Sequence, residues 1–203
     1  MFSVLTQQGR ARAPASAAMA ASDEIIISRI AAGEALAMRV LFARHHTRVY
    51  RWLVRMVRDS VLAEDLVSEV FVDVWRQAGS FAGRSSVTTW LLAIARYKAF
   101  SAARKRVDAQ LDEAAAERIP DPADDAQTTL EREDERHLLR KALAQLSCEH
   151  REVLDLVYYH GRTVKEAAEI IGIPEATVKT RMFYARKKLS ELLKEQGIDR
   201  GWP

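Results

Sequence analysis

A chain of 203 residues can form one large domain or two small ones, and its 48% hydrophobic content suffices for small packed cores. Charged residues make up 29% while Gly (8) and Pro (5) are few, which favours helices over a turn-rich β fold. The single cysteine, Cys148, excludes an internal disulfide framework and fits a reducing cytoplasm. No run approaches the ~20 apolar residues needed to span a bilayer, so membrane insertion is not expected.

The formal net charge of +3 conceals an asymmetry. Between Leu111 and Glu135 ten acidic residues face two basic ones, leaving about +11 on the remainder. A basic body with an acidic connector points to nucleic acid as a partner, the alternative being charges that are merely solvated.

In chain order, residues 1–22 are Ala/Ser-rich with Arg10 and Arg12 and lack the apolar stretch of a secretory signal. They read as a disordered N-terminal extension, with Met19 an alternative start. Helical patterns then run over Ile26–Asp59, Val61–Ala78 and Ser86–Arg106. A second group covers Thr129–Gln145, Ser147–His160, Val164–Ile171 and Pro174–Glu195. Between them DEAAAERIPDPADD is acidic, and Pro120 and Pro122 block helix continuation. The expected fold is therefore all-α: a front helical domain over 23–107, a flexible acidic linker over 108–129, a rear helical domain over 130–197 and a tail over 198–203.

In AEDLVSEVFVDVWRQ, the residues Ala63, Leu66, Val67, Val70, Phe71, Val74 and Trp75 sweep out a broad apolar arc. Asp65, Glu69 and Asp73 form an acidic stripe beside it; like charges at i, i+4 cost an isolated helix about 0.2–0.5 kcal/mol per pair. Such a stripe, bordered by Leu66, suits a basic protein partner or is an ordinary solvated face. In FAGRSSVTTWLLAIARYKAFSAARKR, a short loop with Gly83 and Arg84 precedes a Ser85 or Ser86 cap. Trp90, Ile94, Tyr97 and Ser101 share one face of the next helix, and Arg96, Lys98, Arg104, Lys105 and Arg106 spread positive charge around the rest. Aromatics among cations suit single-stranded DNA, whose phosphates meet charge and whose bases stack; Trp90 itself is more at home in a core.

The rear segment TVKEAAEIIGIPEATVKTRMFYARKKL reads as a helix-turn-helix. Thr163 and Glu166 have capping-box spacing, and Val164, Ala167, Ala168 and Ile171 form one apolar stripe. Gly172 suits a left-handed helix end and Pro174 the first turn of the next helix. There, Val178, Met182, Ala185 and Leu189 face inward, while Ala176, Thr180, Phe183 and Lys187 face outward. Lys179 and Arg186 flank that outer face on one side, Thr177, Tyr184 and Lys188 on the other. A helix of this composition fits the major groove of duplex DNA.

A metal enzyme is the rival class. Its candidate ligands would be His45, His46, His137, His150 or His160, but adjacent His45 and His46 point to different sides of a helix, and Cys148 and His150 are too few and too close for a zinc site. No metal, cofactor or catalytic residue is expected, and Cys148 reads as a small core residue.

AEDLVSEVF, then TTWLLAIAR, an acidic linker, and LSCEHREVLDLVYYHGRTVKEAAEIIGIPEATVKTRMFYARKKL together resemble a bacterial extracytoplasmic-function (ECF) sigma factor over residues 25–195. The resemblance implies a cytoplasmic, non-enzymatic promoter-specificity factor. Its front domain would be region 2, docking on the β′ clamp helices of core RNA polymerase through Asp65, Leu66, Glu69, Val70 and Phe71. Residues implied at the melted −10 element are Gly83, Arg84, Arg96, Lys98, Phe100, Arg104, Lys105 and Arg106. The rear domain would be region 4, near the β flap, reading the −35 duplex through Ala176, Thr177, Lys179, Thr180, Phe183, Tyr184 and Lys187. The linker would run along the RNA path, and an anti-sigma factor would compete with polymerase around Leu66, Glu69 and Phe71 under stress. No small-molecule substrate is implied. Ser68, Tyr97 and Ala176 depart from frequent family residues (Gln, Asn and Gly), which bears on the promoter sequence read. The alternative is a two-domain helix-turn-helix regulator without sigma activity.

Overall fold

The computed structural model describes residues 21–109 and 130–196, with the side chains of 106–109 and 130–136 outside that description. The expected extension lies outside the described residues over 1–20, the expected linker over 110–129 and the tail in full, as does the side chain of Arg106; residues 108 and 109 are helical rather than linker. Every regular element described is helical. In the front unit these are α1 (Asp23–Ala31), α2 (Ala35–Val57), α3 (Ser60–Gln77), a 3₁₀ turn (Ala78–Ser80) and α4 (Val87–Ala109). The rear unit has α5 (Leu130–Gln145), α6 (Cys148–Leu154) running into a π turn (Asp155–Tyr159), α7 (Val164–Ile171) and α8 (Glu175–Glu195). None of the described helices is long and apolar enough to cross a membrane.

Sequence periodicity predicts one helix over Ile26–Asp59, whereas the chain breaks it after Ala31. Gly33 takes a left-handed φ of 85°, and Arg29 clamps Glu34 across the turn at 2.7 Å. Folding α1 back on α2 buries Ile26, Ile27 and Ile30, which a continuous helix would leave in water. The extension also gives up its last two residues: the Ser22 hydroxyl caps α1, and Arg44 holds the Ala21 carbonyl and Asp23. A second break falls at Arg58 (φ 56°), after which Asp59 caps α3.

Around α2 the core contains Leu41, Val49, Trp52 and Leu53, joined by Leu66, Val67, Val70, Phe71 and Val74 from α3 and by Leu91, Leu92 and Ala95 from α4. Complete burial of one such aliphatic side chain is worth about 1.5–3 kcal/mol. In the rear unit the capping box at Thr163/Glu166 is formed, Gly172 ends α7 with φ 75°, and Pro174 stands just ahead of α8 as its N-cap. Val178, Ala185, Leu189, Leu192 and Leu193 of α8 are buried.

Two expectations for single residues fare differently. His45 is buried against the Asp23 carboxylate at 2.7 Å while His46 stacks on Phe42, so the adjacent histidines do diverge. Cys148, expected in a core, is exposed: it opens α6 directly after the Ser147 cap, on the outer side of that first turn.

Gly172 has no atom within 4 Å of where a Cβ would stand, so Gly172→Ala meets only backbone strain. The expected cost is about 1–2 kcal/mol, read as a lower urea midpoint at unchanged slope. Burial lowers the His45 pKa below its ordinary value, outweighing the pull of Asp23. The unfolded chain therefore takes up that proton first, and stability falls as pH drops through 6.5. His45→Gln should lose less stability than the native chain in urea titrations between pH 7.5 and 5.5.

Candidate nucleic-acid interface

The basic surface that stands clear is on α8. Ala176, Lys179, Thr180, Phe183, Tyr184 and Lys187 are exposed and Thr177 is half-buried, while the opposite side is locked into the rear core by Val178, Ala185 and Leu189. Phe183 and Tyr184 meet edge to face at 5.4 Å, and the Thr180 hydroxyl donates to the Ala176 carbonyl at 3.0 Å, keeping an acceptor lone pair outward. Arg181 is turned away to Glu149. The expected outer face is thus one continuous strip, with a half-buried cation, Arg186, at its edge.

The front-domain cations are arranged otherwise. Gly83 (φ 66°) and Arg84 are exposed on the loop before α4, and Arg104 and Lys105 are exposed near its far end. Arg96 and Lys98, two residues apart, point to opposite sides of α4. Arg96 lies over the Phe100 ring at 4.5 Å and donates to Glu152 of α6 at 2.7 Å. Lys98 faces α3, where it meets Asp73 at 2.9 Å and Glu69 at 3.1 Å. These bonds, that to Asp73 foremost, raise its pKa. The expected strand-binding residues therefore do not form one patch: Lys98 quenches the acidic stripe, and Arg96 is committed to the rear unit.

On α3 the polymerase-docking residues divide by exposure. Asp65 and Glu69 are exposed, but Leu66, Val70 and Phe71 are 3%, 0% and 4% exposed and belong to the core. At this burial Val70 and Phe71 support the face from beneath, against α2 and α4, and Leu66 reaches the surface at the wall of a groove. What α3 offers outward is Asp65, Ser68, Val72 and Trp75, spaced three, four and three residues apart and hence on one face. Phe42 of α2, edge-on to Phe71 at 4.8 Å, extends the apolar part of that side. Trp75, expected in the apolar arc, is 41% exposed there. Between α3 and α4 runs a groove lined by Leu62, Leu66, Glu69, Tyr97, Lys98 and Lys105. Trp90 is half-buried against Phe81 at 5.1 Å.

Sequence reasoning missed Glu152 and Asp155. Both are almost wholly buried, at 0% and 3% exposed. Burial pushes the Glu152 carboxyl up against the opposing pull of Arg96. Asp155, on the π turn, takes Arg55 of α2 at 2.8 Å and has His160 within 3.2 Å. Their only mark in the sequence is two acids three apart on an otherwise apolar helical face.

Comparison with known proteins covers both units. Residues 41–108 match the family model for sigma-70 region 2, and residues 142–191 that for sigma-70 region 4. The ECF RNA polymerase sigma factor SigL of Mycobacterium tuberculosis (strain ATCC 25618 / H37Rv) is 33% identical over 179 residues, covering 86% of this chain and 98% of SigL. The RNA polymerase sigma factor CarQ of Myxococcus xanthus is 37% identical over 161 residues, covering 78% and 90%. Among solved structures, the sigma factor RpoE bound to the anti-sigma factor NepR from Bartonella quintana has a TM-score of 0.67 at 28% identity, covering 80% of this chain and 98% of that one. CnrH in complex with the cytosolic domain of CnrY has a TM-score of 0.65 at 25% identity, covering 86% and 99%.

Lys98→Ala leaves Glu69 and Asp73 as unrelieved neighbours at i, i+4. Because these groups are partly exposed, the expected loss is modest, about 0.5–1 kcal/mol, and shrinks in high salt. Thermal melts at low and high ionic strength check both the loss and its salt dependence.

Proposed function

The chain belongs to the ECF sigma factors of bacterial RNA polymerase, and from that membership we propose how its own residues divide the work of promoter-specific initiation. The observation that carries the proposal is the ordered pair of family matches, with the exposed basic face of α8 inside the second. The regulator alternative needs a sensory module in front; region 2 occupies that place instead.

In this reading α8 enters the −35 major groove. Lys179 and Lys187 approach phosphates or guanine edges, Thr177 and Thr180 present hydroxyls, and Phe183 and Tyr184 supply apolar contact with thymine methyls. Ala176, at the amino end, lets the backbone come close to phosphate, where the helix dipole favours it. The Gly83–Arg84 loop and the Arg96, Phe100, Arg104 side of α4 hold the unpaired −10 strand, with Lys105 reaching it from the Lys98 side. Arg106 continues that run in sequence, and Lys98 backs α3. Opening duplex costs a few kcal/mol per unstacked base, and capture of the freed bases offsets it. The factor therefore works by binding, without a chemical step of its own, in the cytoplasm where the polymerase is.

Docking on core polymerase uses the outer side of α3. Asp65 supplies charge for the β′ clamp helices, with Glu69 beside it shared with Lys98, Val72 and Trp75 supply apolar area, and Leu66, Val70 and Phe71 hold that face in shape from beneath. The β flap takes the rear unit. An anti-sigma factor shuts the protein off by covering the same side of α3, in keeping with the anti-sigma-bound state in which the similar RpoE was solved.

Transcription of fragmented genomic DNA with core polymerase, with and without this protein, tests the function. New RNA 5′ ends sharing two upstream motifs are expected; duplex binding by the protein alone with no new starts would favour the regulator. In the resulting holoenzyme, Lys179→Ala and Lys187→Ala should each make the plot of log affinity against log salt shallower by about one. Asp65→Lys should abolish pull-down of core polymerase while leaving the helical content intact.

A further inference from the structure

Helix α2 carries five arginines and no acidic residue in its 23 positions. Four of them, Arg44, Arg48, Arg51 and Arg55, and the capping residue Arg58 recur at spacings of four, three, four and three. At 100° per residue they fall within an arc of about 80°, as one row about 21 Å long. Surface helices ordinarily intersperse both signs, and like charges at such spacings repel. The fold answers two members of the row. Arg44 meets Asp23 at 2.6 Å and Arg55 meets Asp155 at 2.8 Å. Arg58 donates to the Ala144 carbonyl at 2.7 Å, a neutral acceptor that leaves its charge unanswered. Arg48 and Arg51 are exposed, and neither has a carboxylate partner among the described residues.

The neighbours of these arginines narrow the partner. Thr47 is the exposed side chain beside them, while the exposed Phe42 and its stacked His46 lie on a different side of α2. Single strands are captured by stacking bases on rings, and protein or membrane partners are held through apolar area; this row offers neither. A guanidinium fork matches a phosphate, and a duplex presents phosphates at ~3.4 Å intervals along each strand. The row is thus suited to the backbone of double-stranded DNA.

We infer that this row is a third DNA contact, in which Arg48 and Arg51, with the charge of Arg58 beside them, bind backbone phosphates of duplex without reading its sequence. The duplex concerned is the stretch between −35 and −10, the double-stranded DNA that reaches the front unit before its strands part. The inference rests on the sigma-factor reading. It differs from the two contacts already assigned in needing no particular base, so it adds affinity and leaves promoter choice to α8 and α4.

Holoenzyme assembled from core polymerase and this protein, titrated against a labelled promoter fragment at several salt concentrations, tests this. Each lost phosphate contact makes the plot of log affinity against log salt shallower by about 0.9. Arg48→Ala with Arg51→Ala should therefore make the fall in affinity between about 50 and about 200 mM salt roughly tenfold smaller than in the native holoenzyme. The change should be the same on fragments whose spacer is randomised at fixed length. Arg48→Lys with Arg51→Lys keeps the charges and should keep the native slope, which separates phosphate binding from damage to α2. A native slope in the alanine pair, a lysine pair as shallow as the alanine pair, or a change that follows particular spacer sequences would each overturn the inference. So would loss of core polymerase pull-down by the alanine pair, which would make the row a protein contact. Transcription separates the two failures: normal promoter starts from the native protein alongside any of those results remove the third contact and leave the sigma assignment standing. Absence of starts removes the assignment itself, and the third contact with it.

Discussion

The structure depends on α4 being shared by two cores. One side of Val87–Ala109 closes the front bundle with Leu91, Leu92 and Ala95 at or near zero exposure; another receives α7 of the rear unit. A helix apolar on more than one side leaves only a narrow strip to water, here marked by the exposed Tyr97. Its polar groups are therefore drawn into pairs, Arg96 with Glu152, Lys98 with Asp73 and Glu69, and Thr89 with Glu166. A carboxylate as buried as Glu152 is costly unless a cation answers it, so its partner cannot be removed without leaving a charge stranded.

That sharing explains why the two basic regions differ. On α8 the buried side is served by small and aliphatic residues alone, and the cations are left outward as a strip suited to a duplex. On α4 the same kinds of residue sit at a junction, and several become internal counter-ions. Net positive charge in a segment thus carries different meanings according to whether the helix borders one neighbour or several. The acidic stripe of α3 follows the same logic, since Lys98 relieves the repulsion that isolated-helix reasoning assigns to Glu69 and Asp73. What remains outward on α3 is a mixed face of Asp65, Val72 and Trp75.

Local signals were legible where the cause is local. The capping box at Thr163/Glu166, the left-handed Gly172, the inward set Val178, Ala185 and Leu189, and the outward set Thr180, Phe183 and Lys187 all follow from neighbours within one or two turns. The break at Gly33 was readable in principle, but the continuing apolar periodicity on both sides hid it. Only the packing of Ile26, Ile27 and Ile30 against α2 makes the turn favourable. Residue type places Cys148 inward, whereas the start of α6 at the Ser147 cap turns it outward.

By itself the sequence determined an all-α chain of two helical units in sigma-factor order, with a duplex-reading helix near its end. Helix periodicity, caps and turn glycines are short-range consequences of side-chain geometry. Only the tertiary structure decided which charges remain free. Arg96, Arg55 and Thr89 find their partners 56 to 100 residues away along the chain. Such pairs are set by how two units bury a common apolar helix, and no spacing within either unit encodes that choice.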